Sequence, residues 1–290
     1  MTTPNKTPEI VKIDSVQTFL KSLEDLKGIC KINSSKIQFF RGHANKEWVT
    51  TPSIYREKKW IDNEDAMINE LITRCPNDFK EHKYFFQSLV KMQHHSLPTR
   101  LLDITTNPLI ALYFSCLKDE ENDGEIIPIT TYKVNVKHYN SDTVSVIANI
   151  ANMPKTFSIN STINAENETA AFNSTKTIKL LLNQIQREKP HFEPRINPGH
   201  IESAVFVRPL LDNQRIIKQD SAFILFGINK SKIDPADLTS VIHESENMKL
   251  IVPFAHKEKI LQELEILGIS NGTIFPEVDN VAKYIKEKYQ

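Results

Sequence analysis

The spacing of apolar residues divides the chain into helical and extended segments. Residues 14–27 carry apolar side chains three and four positions apart, which predicts an amphipathic helix beginning at Asp14 or Ser15 and ending at Gly28. Residues 80–94 show the same period, and we expect Pro98 to end that helix. Helices are predicted at 14–27, 62–73, 80–94, 109–117, 177–187, 257–267 and 279–288.

Short runs of apolar and β-branched residues predict a sheet. The predicted strands lie at 37–41, 125–136 (one or two strands), 204–208, 222–228 and 249–254. Gly42 closes the first strand, and 222–228 carries the strongest strand pattern in the chain. Together the elements predict an α+β protein that is largely one domain.

A change of composition marks residues 140–202, which are rich in Asn, Ser and Thr. We interpret them as an insertion with one helix and a mobile loop from Pro190 to Gly199. The predicted division is an N-terminal helical segment (1–35), the first part of the core (36–139), the insertion (140–202), and a C-terminal α/β segment that completes the core (203–290).

The composition disfavours several classes of function. The 36 Lys and Arg residues balance 36 Asp and Glu residues, so a nucleic-acid partner is not expected. The chain has seven glycines and neither a P-loop nor a Rossmann fingerprint. Its three cysteines are far apart, which predicts no disulfide framework, no metal site and a cytoplasmic location. No segment has the pattern of a signal peptide or a membrane span, so no membrane association is expected.

The first candidate motif is Phe39-Phe40-Arg41-Gly42-His43. A strand would hold the Arg41 guanidinium rigidly, and Gly42 would let a ligand approach the backbone. A guanidinium in this position can bind a phosphate or a carboxylate with two hydrogen bonds. The alternative is a buried structural pair between Arg41 and a carboxylate, for which Asp103 is a candidate.

The second candidate motif runs from Gln93 to Thr105 and is the densest polar stretch of the chain. Adjacent histidines on a helix point about 100° apart, so His94 and His95 do not form a simple metal-binding pair. The alternative here is an internal salt bridge between Arg100 and Asp103 that holds the loop.

The third candidate motif runs from Arg215 through Gln219 to Ser221, where a polar segment enters the strand at 222–228. Side chains at such an edge can project into a cleft. The alternative is an ordinary solvated turn.

These three motifs together resemble the FRG domain family, named for its Phe-Arg-Gly motif. The resemblance is clear over residues 36–135, weaker over 203–228, and most specific from Gln93 to Ser115. The pattern Leu264…Gly268…Phe275-Pro276 is also similar to FRG proteins. The departures are His43 for the usual glutamine, Ser96 and Ser221 for glycine, and Ile104 for tryptophan. The resemblance implies an effector in bacterial or phage conflict, hence a toxin or defence role.

The order of the motifs is also similar to that of ADP-ribosyltransferases of the Arg–Ser–Glu type. This resemblance implies an ADP-ribosyltransferase-like mixed sheet with surrounding helices. Arg41 would bind an NAD phosphate, and Thr105 with Thr106 would match the hydroxyl motif. Phe39 or Tyr113 could stack on nicotinamide. The catalytic glutamate of those enzymes falls on Ser221, so Asp103, Asp220 or Glu202 would have to replace it.

The leading hypothesis is a nucleotide-binding domain for NAD or a related molecule, with ADP-ribosyl transfer or NAD hydrolysis as the implied activities. One alternative is a non-catalytic module that senses a ligand or binds a protein partner. Another is an RNA-targeting toxin or nuclease that uses His94, His95 and Arg100. The residues assigned to chemistry are Arg41, His94, His95, Asp103 and Gln219. The residues assigned to ligand binding are Arg41, Gly42, Gln93, Arg100, Thr105 and Arg215.

Overall fold

A computed structural model describes residues 9–29, 33–117, 121–159, 169–239 and 248–289. Within them the strands are β1 (Glu9–Lys12), β2 (Lys36–His43), β3 (Leu101–Thr105), β4 (Gly124–Tyr132), β5 (Val136–His138), β6 (Ala204–Arg208), β7 (Ser221–Phe226), β8 (Ile228–Asn229), β9 (Ser231–Pro235) and β10 (Met248–Val252). The helices are α1 (Val16–Ile29), α2 (Lys58–Asp62), α3 (Glu64–Arg74), α4 (Phe85–His94), α5 (Pro108–Cys116), α6 (Asp142–Asn149), α7 (Thr169–Ser174), α8 (Lys176–Glu188), α9 (Pro198–Ile201), α10 (Gln214–Lys218), α11 (Lys257–Ile266), α12 (Asn271–Ile274) and α13 (Val278–Lys288). The α+β class is confirmed.

Eight strands form one mixed sheet in the order β1-β10-β4-β2-β3-β7-β6-β5. The two outer pairs, β1 with β10 and β5 with β6, are parallel, and the inner pairs are antiparallel. β8 and β9 form a separate small hairpin. Helices cover both faces of the large sheet, because apolar side chains alternate between the faces along its inner strands. In β7, Phe223 and Leu225 pack with one core cluster, and Ile224 packs with another.

Strand pairing is least extensive at the centre of the sheet. β2 pairs with β4 over eight residues, but it pairs with β3 only through Phe40 and Thr105. The Arg100 carbonyl points toward β7 and accepts from the Phe226 amide. Carbonyl groups point in alternate directions along a strand, so those of Leu101 and Asp103 point toward β2. Most of the edge of β3 that faces β2 therefore has no backbone partner and needs side chains to satisfy it.

Helix α5 lies against β2 and β4 at close range. Asn107 caps this helix by accepting from the Leu109 amide at 3.0 Å, and Pro108 occupies its first turn, as expected. A Cβ on Gly42 would lie 2.0 Å from the carbonyl oxygen of Ala111. The missing side chain at Gly42 therefore allows α5 to pack on the strand that carries Arg41.

The segment 140–202 contributes to the main core. Every residue from 143 to 151 is buried, and Ile178, Leu181 and Ile185 of α8 pack into the same cluster as α4 and β7. This packing makes the described part of the segment a structural layer. Its status as an insertion, and the domain boundaries, stay predictions.

Several predicted element ends were wrong. Gly28 lies inside α1, which continues to Ile29. Helix α4 begins at Phe85 and not at residue 80; it ends at His94 as predicted, where Ser96 takes a left-handed φ of 65°. The Ser96 amide donates to Gln93 and the Leu97 amide donates to Met92, which is the Schellman pattern of a helix end. The other predicted helices and strands are present, with shifted ends in most cases, and 204–208 matches β6.

Candidate functional site

A cavity of about 350 Å³ opens where β2 and β3 separate. It lies beside the ends of α4, α5 and α10 and the loop after β2. Its lining residues are Phe40, Arg41, Gly42, Ala44, Trp48, Gln93, His94, Asp103, Ile104, Thr105, Phe114, Leu117, Arg215, Gln219, Ser221 and Phe275. The structure thus brings parts of all three sequence motifs into one cavity.

The Arg41 side chain bridges the gap in the sheet. Its Nη1 donates to the backbone carbonyl of Asp103 at 2.5 Å, and its Nε donates to Nε2 of His43 at 2.9 Å. Burial lowers the pKa of Arg41 to about 10 although Asp103 raises it, so the group remains charged at neutral pH. The predicted closed pair between the Arg41 guanidinium and the Asp103 carboxylate is absent, because Arg41 binds the carbonyl of that residue.

His43 is the second residue of this arrangement and is 1% exposed. Burial, followed by the nearby Arg41 and Arg56, lowers its pKa to about 4. His43 is therefore neutral at pH 7, and its Nε2 lone pair accepts from Arg41. A neutral acceptor at this position fixes the guanidinium plane without cancelling its charge.

Gln93 orients the acidic residue of the cavity. Its Nε2 donates to the Asp103 carboxylate at 2.7 Å, and its Oε1 accepts from the Thr99 hydroxyl at 2.7 Å. The same Nε2 lies 3.5 Å from the Leu101 carbonyl on the open edge of β3. Asp103 itself is exposed, so its carboxylate is held in a defined position yet accessible from the cavity.

Arg215 supplies a second guanidinium from α10. Its Nη1 donates to the His94 carbonyl at 3.2 Å and lies 3.6 Å from the Glu277 carboxylate. The guanidinium carbon lies 4.8 Å from the centre of the Phe275 ring, a cation–π contact. Its Nε is buried and has no hydrogen-bond partner among the described residues.

His94 lies at the end of α4 beside Arg215. Burial and then Arg215 lower its pKa to about 4, against Asp103 and Glu277, which raise it. The imidazole is therefore neutral at pH 7. Its Nδ1 is buried without a hydrogen-bond partner among the described residues, and the ring packs 6.3 Å from that of Phe223.

The third motif forms the floor of the cavity. The Thr105 hydroxyl donates to the Gln219 carbonyl at 2.7 Å, and the Gln219 Nε2 donates to the Ile274 carbonyl at 3.1 Å. Asp220 has a left-handed φ of 45°, and its carboxylate accepts from Asn107 outside the cavity lining. Ser221, the position to which the sequence resemblance assigned the glutamate of Arg–Ser–Glu enzymes, lines the cavity and offers a hydroxyl there.

Comparison with known families identifies the central part of this site. Residues 36–124 match the family model of the FRG domain. The chain contains an FRG domain. No curated protein and no solved structure matches the chain. The matched range carries Arg41, Gln93, His94 and Asp103, whereas Arg215 and the other lining residues from α10 onward lie outside it.

The cavity excludes two residues that the sequence suggested. Arg100 is fully buried and binds Glu64 through Nε at 3.0 Å and Nη2 at 2.5 Å. It also donates to the Phe226 carbonyl, so it neither faces a ligand nor pairs with Asp103. His95 is exposed and lies outside the lining, since it follows α4 and points away from His94.

The aromatic wall differs from the expected one. Phe39 and Tyr113 are buried in separate core clusters and do not line the cavity. The lining aromatics are Phe40, Trp48, Phe114 and Phe275. Phe40 and Phe114 directly follow the expected residues in the sequence. The prediction therefore chose the right strand and helix but the wrong face of each. Phe40, Phe114 and Phe275 lie within the FRG-like motifs, whereas Trp48 carried no sequence signal.

The charges of the lining favour an anion. The lining holds two guanidiniums, those of Arg41 and Arg215, and one carboxylate, that of Asp103, while His94 is neutral. Glu277, which lies outside the lining, is 3.6 Å from Arg215. Among the described residues no group of three His, Cys, Asp or Glu side chains is placed to hold a metal ion. Within the same residues, no helix is both long and apolar enough to span a bilayer.

Proposed function

We propose that this FRG domain binds an anionic nucleotide of the NAD class in the cavity between β2 and β3. The observation that carries the proposal is the presence of two guanidiniums in a single cavity with four lining aromatic residues. Guanidiniums bind phosphate oxygens through charge-assisted hydrogen bonds, and aromatic rings stack on a base or a nicotinamide. Both guanidiniums line the cavity and can donate such hydrogen bonds to a ligand.

The cavity volume of about 350 Å³ is near the lower end of the usual range for small-molecule sites, about 300–1,000 Å³. It suits one nucleotide half with its phosphates. A dinucleotide would extend through the mouth, where Trp48 is 49% exposed.

A second candidate is cleavage of the nicotinamide–ribose bond, which the position of Asp103 favours. Gln93 holds this carboxylate while leaving it accessible. A carboxylate near the ribose stabilises the positive charge that develops as the bond breaks. Ser221, in the place of a glutamate, favours instead a domain that senses the nucleotide without cleaving it. The proposal includes the setting that the family resemblance implies, a cytoplasmic effector in bacterial or phage conflict.

An RNA-targeting toxin is less well supported. Of the residues assigned to it, Arg100 is buried in an ion pair and His95 lies outside the cavity. The equal numbers of acidic and basic residues also give no general attraction for a polyanion.

Calorimetry with NAD tests the binding proposal. The wild type is expected to bind, and Arg215→Gln and Arg41→Gln are each expected to weaken binding by about tenfold or more. Arg74→Gln is the matched control, because Arg74 is exposed on α3 and outside the cavity. Absence of NAD binding in the wild type, or equal losses in the control, would contradict the proposal.

Nicotinamide release, measured in the same samples, separates the enzyme from the sensor. An enzyme would release nicotinamide and lose this activity in Asp103→Asn while still binding NAD. A sensor would bind without release.

A further inference from the structure

A second cavity, of about 330 Å³, lies next to the first and shares His94 with it. It is formed by the loop before α4, one face of α4, and the segment that leads into α10. Its lining residues are Asn77, Asp78, Glu81, His82, Phe86, Gln87, Val90, Lys91, His94, Pro209, Leu210, Asp212, Asn213 and Ile216.

The charge of this cavity is opposite to that of its neighbour. Three carboxylates, Asp78, Glu81 and Asp212, face one ammonium, that of Lys91. Lys91 binds Asp78 at 2.7 Å, whereas Asp212 accepts from the neutral Gln87 at 3.2 Å. Burial, followed by Lys91, lowers the pKa of the lining residue His82, so it does not add a positive charge at neutral pH. Among the lining residues, Glu81 and Asp212 therefore have no cation paired with them.

The floor of the cavity is apolar. Phe86, Val90 and Ile216 are buried core residues, and Leu210 is partly exposed beside them. A carboxylate rim above an apolar floor matches a ligand with an alkyl stem and a cationic end. A simple solvated acidic surface would lack this floor.

We propose that this second cavity is a binding subsite for an alkyl cation, the chemistry of a lysine or arginine side chain or of a free polyamine. The alkyl stem lies on the floor made by Val90, Leu210 and Ile216, and the cationic end lies between Glu81 and Asp212. The subsite extends the proposed function, because it adds a second ligand beside the nucleotide cavity, with His94 between the two. Its existence does not depend on what the first cavity binds.

The buried Nδ1 of His94, which has no partner among the described residues, is a second observation at the shared wall. His94 lines both cavities, so a ligand in either one lies against the same imidazole ring. The two ligands are therefore expected to affect each other's affinity.

Titration of the full chain with agmatine, an alkyl guanidine, tests the proposal. Binding is expected, with at least a fivefold loss in Glu81→Gln and in Asp212→Asn. Leu210→Ser is expected to weaken agmatine binding while leaving the charges of the rim unchanged. Glu70→Gln is the matched control, because Glu70 is exposed on α3 and lines neither cavity.

Two further ligands identify the source of the cation. Tighter binding of an arginine-containing peptide than of spermidine would assign the subsite to a protein side chain, and the reverse would assign it to a polyamine. No binding of agmatine, peptide or spermidine at millimolar concentration would overturn the proposal, as would equal losses in Glu70→Gln. Each titration is repeated with NAD present, so a failure of NAD binding with intact agmatine binding would contradict only the proposed function.

Discussion

The Arg41 guanidinium donates to the backbone carbonyl of Asp103, 2.5 Å away, across the gap between β2 and β3. A strand carbonyl at this position would normally accept from the neighbouring strand. Arg41 takes over that role, and Gln93 approaches the Leu101 carbonyl in the same way. The sheet can therefore open at its centre without leaving these buried polar groups unsatisfied, and the opening is the cavity.

Gly42→Ala is expected to destabilise the protein by about 3 kcal/mol or more, because the new Cβ would collide with backbone atoms of α5. The control is Gly28→Ala, where a Cβ on helix α1 meets no atom within 4 Å. That substitution is expected to stabilise by roughly 0.5–1 kcal/mol. Urea denaturation measures both, and a tolerated Gly42→Ala would contradict the close packing of α5 on β2.

Ser96→Gly is expected to stabilise the protein by about 0.5 kcal/mol. Ser96 has a left-handed φ of 65° at the end of α4, a conformation that costs a residue with a side chain about 1 kcal/mol. Glycine removes this cost, but its greater freedom in the unfolded chain offsets part of the stabilisation. Gly268 has the same role at the end of α11, with φ of 82°. Gly268→Ser should therefore destabilise by about 0.5 kcal/mol. Opposite signs in thermal or urea unfolding support this account, and equal signs refute it.

Glu64→Gln is expected to cost about 3–5 kcal/mol in stability. Glu64 lies within 2.5 Å of Arg100 and 3.3 Å of Lys232, and all three side chains are buried. Removing the negative charge leaves the two buried cations with Asp65, 3.9 Å from Lys232, as the remaining nearby carboxylate. Glu70→Gln, in the exposed pair with Arg74 on the same helix, should cost less than about 1 kcal/mol. Similar values for the two variants would exclude a structural role for the buried network.

The stability of the protein is expected to fall as the pH is lowered from 6.5 to 4, partly through His43. Its ordinary pKa of 6.5 is lowered to about 4 in the folded protein, so in this range the unfolded chain binds a proton that the folded chain does not. The contribution is fully present above pH 6.5 and amounts to on the order of 3 kcal/mol. His43→Gln keeps an acceptor for Arg41 and should flatten the pH profile, whereas His191→Gln, at an exposed position, should leave it unchanged. An unaltered profile in His43→Gln would show that His43 is not responsible.

The sequence predicted most of the elements because apolar periodicity determines which face of a segment is buried. β6 and the α5 start at Asn107-Pro108 follow from such local signals. Arg100 was misplaced because its partners, Glu64 and Lys232, are distant in the sequence, and pairing between distant residues leaves no local pattern. The polar composition of residues 140–202 did not indicate a core layer, because a helix such as α6 can bury an Asn through a local hydrogen bond, as Asn149 does with the Ser145 carbonyl.

The sequence predicted the part of the candidate site that belongs to local motifs. Arg41, Asp103 and Gln219 follow from motifs, and the structure places them in one cavity. Trp48 and Leu117 line it only because the loop after β2 and the end of α5 converge there. No sequence pattern predicts that these two segments lie close together in space.

The most direct measurement is a crystal structure of the protein grown with NAD. The account predicts ligand density in the cavity between β2 and β3, with phosphate oxygens within hydrogen-bond distance of Arg41 and Arg215 and a ring against Phe275 or Trp48. Density at another position, or an empty cavity in crystals saturated with NAD, would contradict it.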